Sequence, residues 1–289
     1  MNLDTTQSRV EGTVPCRIRQ VAGDRAEERD DALACEEPLE IQLGYERNGV
    51  RVFKSISVTM RTPGHDRELA AGFLLGEQII ESAAQIAGIS AVEPNVVRVD
   101  LSPGLSVDLK RLERNFYTTS SCGVCGRSSL AAITFSGGTL DPLAPVFDPQ
   151  VINSLSTTLR SSQTVFNATG GLHAAALFDA GGRLLNWRED VGRHNAVDKV
   201  IGAQLLAGAQ AAFRDQLLFV SGRASFELMQ KALLAGLPIL AAIGAPSSLA
   251  VELAQHYGAT LLGFVRDGRF NIYCGAARIL GGGEFPATS

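Results

Sequence analysis

The chain has 289 residues, of which 45% are hydrophobic and 19% charged, which predicts one large globular domain or two modest ones. A formal net charge of −4 excludes a strongly basic protein, so non-specific nucleic-acid binding is not expected. No apolar run reaches the roughly 20 residues that cross a bilayer, and residues 1–25 lack a secretory signal pattern, which predicts a cytoplasmic protein with no membrane partner.

The first third of the chain divides into a tail and a small α+β region. Residues 1–35 are rich in charged residues and predict a flexible tail. Residues 36–117 predict a small α+β domain, because two alternating apolar stretches flank the turn Asn48-Gly49 and a helical pattern runs from Asp66 to Gly76. A second hairpin is predicted to turn at Ser102-Pro103-Gly104, with residues 96–101 and 107–109 as its strands.

Residues 118–129 read Thr-Thr-Ser-Ser-Cys-Gly-Val-Cys-Gly-Arg-Ser-Ser and show no hydrophobic period. Hydroxyl residues and glycines favour turns over regular structure, so we expect a loop that carries Cys122 and Cys125.

The remainder, residues 130–281, predicts a layered α/β domain with a mostly parallel central sheet and helices on its faces. In the helix over 224–235, Glu227 and Lys231 are expected to pair on the outer surface at i,i+4. The predicted strands are 172–178, 184–187, 217–220, 237–243, 259–265 and 270–274. Predicted helices begin near Asp190 or Gly192, at Ala224 and at Pro246.

The cysteine loop is the segment most informative about chemistry. Cysteine reacts as the thiolate, which a nearby cation such as Arg127 favours. A CxxC pair is also found in zinc sites and redox motifs, but structural zinc requires four ligands and the other cysteines are isolated. A redox motif would open a helix, which the Ser/Thr-rich flank argues against. The remaining interpretation of the CxxC pair is a thiol that acts as a nucleophile or as a carrier.

Several predicted strands end in small and basic residues. Arg223 follows one strand, and the segment Phe264, Val265, Arg266, Asp267, Gly268 and Arg269 forms a tight turn after another. Strand ends of an α/β sheet gather at one edge, where backbone N–H groups bind anions and the arginine fork binds phosphate. A phosphorylated or nucleotide-like ligand is one interpretation, and solvated arginines on ordinary turns are the other.

Two histidines lie in polar surroundings. His173 follows Thr169-Gly170-Gly171-Leu172, and His194 lies near a predicted helix start. Each taken alone predicts a structural hydrogen-bonding histidine, and together they suggest a shared pocket.

Three long motifs resemble the formate dehydrogenase accessory sulfurtransferase family, FdhD. They are SCGVCG over 121–126, TGGLHAA over 169–175 and EDVGRHNAVDK over 189–199. The likeness continues through Ser221-Gly222-Arg223 and the Phe264-to-Arg269 turn, so it covers nearly everything after about Glu36.

The resemblance implies that a cysteine desulfurase places a persulfide on Cys122. The sulfur then passes to the molybdenum or tungsten cofactor, the bis-molybdopterin guanine dinucleotide, before insertion into formate dehydrogenase. The family's cofactor-binding stretch corresponds to residues 264–269, and Cys125 either relays the sulfur or resolves a mixed species. The implied fold is α/β, a three-layer cytidine-deaminase-like domain with a smaller N-terminal α+β domain, in a homodimer.

Two other functions are weighed against this one. A zinc-dependent deaminase requires H-x-E followed by P-C-x-x-C, whereas His173 and His194 have no such glutamate and Ser121 precedes the CxxC. We therefore expect no protein-bound zinc. The second alternative is a non-catalytic chaperone that only holds the molybdenum cofactor and docks it on its enzyme.

Overall fold

The structure is a computed structural model that describes residues 10–105, 140–141 and 143–282. Within these ranges the chain forms twelve strands in three sheets, six α-helices and three short 3₁₀ turns. The strands are β1 (Thr13–Ala22), β2 (Arg25–Ala34), β3 (Glu37–Arg47), β4 (Val50–Arg61), β5 (Ile86–Glu93), β6 (Val96–Leu101), β7 (His173–Asp179), β8 (Leu184–Asp190), β9 (Gln216–Val220), β10 (Ile239–Ala242), β11 (Thr260–Arg266) and β12 (Arg269–Cys274). The helices are α1 (Asp66–Gly76), α2 (Pro149–Ser162), α3 (Thr164–Thr169), α4 (Arg193–Leu206), α5 (Phe226–Ala235) and α6 (Ser248–His256), and the 3₁₀ turns are Ala83–Gln85, Gln210–Asp215 and Ala276–Arg278.

Strands β1 and β2 form a separate antiparallel ribbon that packs against α3. The expectation of a flexible tail over residues 1–35 is therefore wrong for residues 13–34. Opposite charges face each other across the ribbon, since Arg17 lies opposite Asp30 and Arg19 opposite Glu28. Such cross-strand pairs stabilise a sheet, so the charge content that suggested a tail belongs to paired strands.

The second sheet has the order β4-β3-β6-β5. The predicted turn at Asn48-Gly49 is confirmed, with φ of 52° and 75° at the two residues. The predicted second hairpin is wrong, because β6 pairs with β3 on one side and β5 on the other. Both hydrogen-bonding edges of β6 are thus occupied by β3 and β5, and residues 107–109 lie outside the described residues.

The third sheet has the order β12-β11-β10-β9-β7-β8. Strands β9, β10 and β11 run parallel to one another, whereas β7 joins β9, β8 joins β7 and β12 joins β11 in antiparallel pairs. The sheet is therefore mixed rather than mostly parallel. Strands β8 and β12 follow tight turns at Gly182 and Asp267-Gly268, which are too short for a parallel crossover.

Helices cover both faces of this sheet, as the sequence predicted. Helix α2 packs on one face through Ile152, Leu155 and Leu159. The other face shares one hydrophobic core with α1, α4, α5, α6 and the four-stranded sheet. An α/β fold with helices on both faces is therefore observed, and its likeness to the cytidine-deaminase fold stays a prediction, as do the domain boundaries within 106–139.

Helices α1 and α4 meet at a contact that we call the joint. A Cβ atom on Gly72 would overlap the carbonyl oxygen of Asp198, and one on Gly202 would overlap the carbonyl oxygen of Glu68. Each glycine thus lets the backbone of one helix reach the other, a close approach that any side chain would prevent.

Buried ion pairs surround the joint. Lys231 Nζ lies 2.7 Å from Asp198 Oδ1, and Lys199 Nζ lies 2.7 Å from Asp190 Oδ2. The expected surface pair of Glu227 with Lys231 is wrong, because α1 and α4 cover this face of α5 and leave Lys231 only 7% exposed. A buried lysine requires a carboxylate partner, which Asp198 provides.

Among the described residues, no helix combines the length and the apolar character that crossing a bilayer requires.

Candidate functional site

The carboxyl ends of β9, β10 and β11 meet at one edge of the six-stranded sheet, which we call the strand-end edge. Backbone hydrogen bonds continue past the strands, because Gly244 N donates to Gly222 O at 2.9 Å and Phe264 N donates to Gly244 O at 3.2 Å. The predicted gathering of strand ends is thus observed for residues 221–223, 244–246 and 264–266.

Arg223 lies in the first of these loops and is exposed. A Cβ atom on Gly244 would lie 3.1 Å from the Cα and Cγ atoms of Arg223. The glycine therefore lets the arginine loop lie directly against the neighbouring strand end.

His173 begins β7 at the same edge. A Cβ on Gly222 would lie 3.5 Å from its Nδ1 atom, and the adjacent Ala174 N donates to Ser221 Oγ at 2.8 Å. Burial lowers the pKa of His173, and the positive charge of Arg193 lowers it further. The imidazole is therefore neutral at neutral pH, a state in which it can accept a proton.

His194 lies near His173, as the sequence suggested, and it contributes to the lowered pKa of His173. Its Nε2 atom lies 4.0 Å from Glu227 Oε2, which is too long for a direct hydrogen bond. The imidazole lowers the pKa of Glu227 to about 2, so this carboxylate is ionised at neutral pH. The expectation of a hydrogen-bonded structural histidine is not met at Nε2, which is buried without a hydrogen-bond partner among the described residues.

Phe264 has a backbone φ of 55°, which is unusual for a bulky residue. The strain coincides with a register shift between β11 and β12 at Gly263 to Arg266. Left-handed aromatic residues persist where the surrounding structure holds them and cluster at functional sites. The conformation therefore marks the start of this turn as a candidate ligand contact.

The rest of the turn presents charge to solvent. Arg266 and Arg269 face each other across Asp267-Gly268, and all four residues are exposed. The Arg266 guanidinium lies 5.9 Å from the Phe264 ring. Val265 differs, since it is fully buried in the core and only its backbone can face a ligand.

A cleft of about 940 Å³ lies between α2, α3 and this edge. It is lined by Ser156, Thr157, Arg160, Ser161, Gln163, Phe166, Asn167, Gly170, Gly171, Leu172, His173, Ser221 and Ile243. Sequence reasoning missed α2 and α3 and therefore most of these residues. The available signal was Asp148-Pro149, since the Asp148 side chain accepts from Gln150 N at 2.7 Å and caps α2.

Glu189 fixes one wall of the cleft. Its carboxylate accepts hydrogen bonds from Val165 N at 3.1 Å and Phe166 N at 2.8 Å. These N–H groups belong to the first turn of α3, where they have no partner within the helix. Burial raises the pKa of Glu189 even though these backbone donors oppose the shift.

The predicted reactive residues Cys122 and Cys125 lie outside the described residues. The geometry of the site is therefore given by the strand-end edge and the cleft alone. The described residues contain no group of three or more His, Cys, Asp or Glu side chains that could hold a metal ion. The expected absence of zinc stays a prediction, because Cys122 and Cys125 are not among the residues in which such groups were sought.

Comparisons with known proteins agree with the motifs. A model described as the FdhD/NarQ family matches residues 34–280. A sulfur carrier protein FdhD from Streptomyces avermitilis is 51% identical over 262 residues, which cover 87% of this chain and 90% of the relative. The protein of the same name from Sulfolobus acidocaldarius is 46% identical over 250 residues, 86% of this chain and 92% of the relative.

A solved structure resembles the fold as well. A crystal structure of a candidate formate dehydrogenase accessory protein from Desulfotalea psychrophila aligns with a TM-score of 0.72 and 27% identity. The alignment covers 92% of this chain and 99% of that one.

Proposed function

Because the chain belongs to the FdhD/NarQ family, we propose that it is a sulfur carrier required for the maturation of formate dehydrogenase. In this proposal it accepts sulfur from a cysteine desulfurase as a persulfide on Cys122. It then transfers the sulfur to the bis-molybdopterin guanine dinucleotide, which is its substrate. We place the reaction in the cytoplasm, where thiols stay reduced, and assign it to a homodimer.

One observation carries this proposal. The chain is 51% identical to a protein named as a sulfur carrier, over 90% of that protein's length. The motif Ser121-Cys122-Gly123-Val124-Cys125-Gly126 supplies thiols for the chemistry that the name describes.

Loading follows from thiol exchange. The Cys122 thiolate attacks the terminal sulfur of the donor's persulfide, and the donor's cysteine leaves as a thiolate. A sulfur–sulfur bond forms on Cys122 as the donor's sulfur–sulfur bond breaks, so no external oxidant is needed.

Delivery requires two electrons, because the outer sulfur leaves as sulfide. In our proposal the Cys125 thiolate attacks the Cys122 sulfur, a disulfide forms between them and sulfide is released to the metal. A dithiol reductant then restores both thiols. This assigns Cys125 the resolving role, in preference to that of a second carrier.

The strand-end edge is the proposed binding surface for the acceptor. Arg223, Arg266 and Arg269 are exposed there and suit the phosphates of a dinucleotide. Phe264 provides an aromatic face, and His173 and His194 provide groups that can exchange protons.

The test is the mass of the loaded protein. After incubation with a cysteine desulfurase and cysteine, we expect one added sulfur on the peptide that contains Cys122. Cys122→Ala should abolish this addition and formate dehydrogenase maturation, whereas Cys16→Ala, a cysteine in β1, should leave both intact.

The same variants separate the carrier from a cofactor chaperone. A chaperone without thiol chemistry predicts full maturation with Cys122→Ala, which would refute the carrier proposal. If Cys125 resolves the persulfide, Cys125→Ala should load sulfur normally and release it slowly. Loading on Cys125 in place of Cys122 would instead assign it a carrier role.

A further inference from the structure

A groove of about 630 Å³ lies beside β12, at one edge of the six-stranded sheet. It shares no lining residue with the cleft beside α2 and α3. It is lined by Pro149, Phe270, Asn271, Ile272, Tyr273, Ile279, Leu280, Gly281 and Gly282. Four of these residues, 270–273, are consecutive in β12. Because consecutive strand residues point to opposite faces of a sheet, a groove that touches all four runs along the edge of the strand.

This edge of β12 has no strand beside it among the described residues, where β12 pairs with β11 alone. An edge strand presents a row of backbone N–H and C=O groups that can pair with a further strand. The groove adds apolar surface to these groups, since Phe270 and Ile272 are only partly buried and Leu280 is 55% exposed. A further strand with an apolar side chain would therefore gain both hydrogen bonds and burial.

The chain itself leads into the groove at Gly282. Ile279 and Gly282 close a tight turn, in which Gly282 N donates to Ile279 O at 2.9 Å and Gly281 has a φ of 72°. A Cβ atom on Gly282 would lie 2.6 Å from the carbonyl oxygen of Ala276, so the turn requires glycine at this position. Since Gly282 is a lining residue, the next residue of the chain begins at the groove.

The length of the following segment matches the strand. Residues 283–289 read Gly-Glu-Phe-Pro-Ala-Thr-Ser and lie outside the described residues. Extended residues span about 3.3 Å each, so Phe285 has a reach of about 10 Å from Gly282. By the same measure residues 283–289 span about 23 Å and the six residues of β12 about 20 Å. The segment is therefore long enough to follow the whole strand, with an aromatic side chain within reach of the groove.

We propose that residues 283–289 add to β12 as an antiparallel edge strand and that the Phe285 side chain fills the groove. Adjacent strand residues direct their backbone groups to opposite sides, so Pro286 faces solvent when Phe285 pairs with β12. At that position the missing N–H of proline breaks no pairing and prevents the addition of another strand. The chain thus closes an edge that is open to association with other chains, a role that does not depend on sulfur transfer.

Leu280 reports whether the groove is filled. Because 55% of its surface is exposed, Leu280→Ala should scarcely change the melting temperature unless another side chain covers it. We expect Leu280→Ala and Phe285→Ala each to lower the Tm of the full chain by about 3 °C. The double variant should lower the Tm by much less than the sum, because either change removes the same contact.

A matched control is available in Leu206→Ala. Leu206 is 39% exposed at the end of α4 and does not line the groove. The change in Tm that it causes should be the same with and without Phe285→Ala.

Hydrogen exchange measured by mass spectrometry tests the added strand itself. Amides of β12 that face the groove should exchange at least about tenfold faster in Phe285→Ala than in the wild type, because their pairing strand is lost. Strand β8 forms the other edge of the sheet and is the internal reference, so its exchange should not change.

Each measurement can reject the proposal. Additive changes in Tm would overturn the contact between Leu280 and Phe285, and unchanged exchange in β12 would overturn the added strand. Protection of β12 that survives in Phe285→Ala and disappears on dilution would also overturn it, since a second copy of the chain would then occupy the edge. Coupling and protection that are independent of protein concentration would support the chain's own segment as the occupant.

Discussion

Charged residues have different roles at the joint and at the strand-end edge. At the joint, charged side chains are buried in pairs, and glycines bring two backbones into contact. At the edge, Arg266 and Arg269 are exposed and Phe264 is strained. Buried pairs fix an arrangement, whereas exposed cations remain available to a ligand.

A single motif supplies both regions. In residues 189–199, Asp190, Asp198 and Lys199 enter the joint, whereas His194 lies near His173 at the edge. The motif therefore couples the position of the candidate site to the packing of α4. Substitutions in the joint should reduce stability, and substitutions at the edge should reduce function at nearly constant stability.

The largest effect is expected at Gly202. Gly202→Ala would force a Cβ into the carbonyl oxygen of Glu68, so α1 and α4 must separate. We expect a loss of about 4 kcal/mol in the free energy of unfolding, or failure to fold. Gly88→Ala is the control, since a Cβ there meets nothing within 4 Å, and urea denaturation compares the two. Equal stability would contradict the close helix contact.

Breaking the Lys231–Asp198 pair ranks second. Lys231→Met leaves a buried carboxylate without its cation, which should cost about 3 kcal/mol in unfolding free energy. Combining it with Asp198→Leu should restore part of that loss, because no charge remains buried. A double-mutant cycle measures this coupling, and additive effects would show that the ions do not interact.

A smaller effect that depends on pH is expected at Glu68. Its pKa is lowered to about 2, since interactions with His65 and Arg188 outweigh the opposing effect of burial. A carboxyl whose folded pKa is depressed stabilises the fold above its unfolded pKa and loses that contribution as pH falls through the folded value.

Glu68→Gln should therefore destabilise the protein by about 2 kcal/mol at pH 7, a figure reduced for its partial exposure. The difference from wild type should shrink between about pH 4.5 and 2. Chemical denaturation at several pH values checks this, and a difference that stays constant with pH would contradict the ion-pair explanation.

The smallest change in stability is expected at Phe264. Glycine adopts a positive φ without strain, so Phe264→Gly should change the unfolding free energy by no more than about 1 kcal/mol. Formate dehydrogenase maturation should nevertheless decrease, because the aromatic face is lost. Val265→Gly is the contrast, since removal of a fully buried side chain should destabilise the core. Full maturation with Phe264→Gly would remove this residue from the site.

Local signals predicted the elements whose boundaries are set by nearby residues. The Asn48-Gly49 turn and the helix from Asp66 are examples, since turn chemistry and helical spacing act within a few positions. The partners of a strand were harder to predict, because β6 pairs with β3 and β5, and only the tertiary fold brings β3 next to β6. The predicted surface position of Lys231 was wrong for the same reason. The i,i+4 spacing within α5 does not show which face of that helix α1 and α4 will cover.

The candidate site was predicted in part for the same reason. Strand ends and their arginines follow from the order of elements, so Arg223, Arg266 and Arg269 were identified from the sequence. Arg160 and Phe166 were not, because α2 and α3 were not predicted and only the tertiary fold brings these helices to the strand ends. Glu189 was included in a motif, but its contact with the first turn of α3 joins elements more than twenty positions apart.

The shared core beneath the four-stranded sheet has a consequence for cooperativity. Its strands bury Leu39, Ile41 and Leu43 in the same cluster that lies under β9 and β10. Separating the two sheets would expose both faces to water at once, so neither has an independent folded state of comparable stability. Heating should accordingly melt them together in one transition, with no stage at which one sheet survives alone.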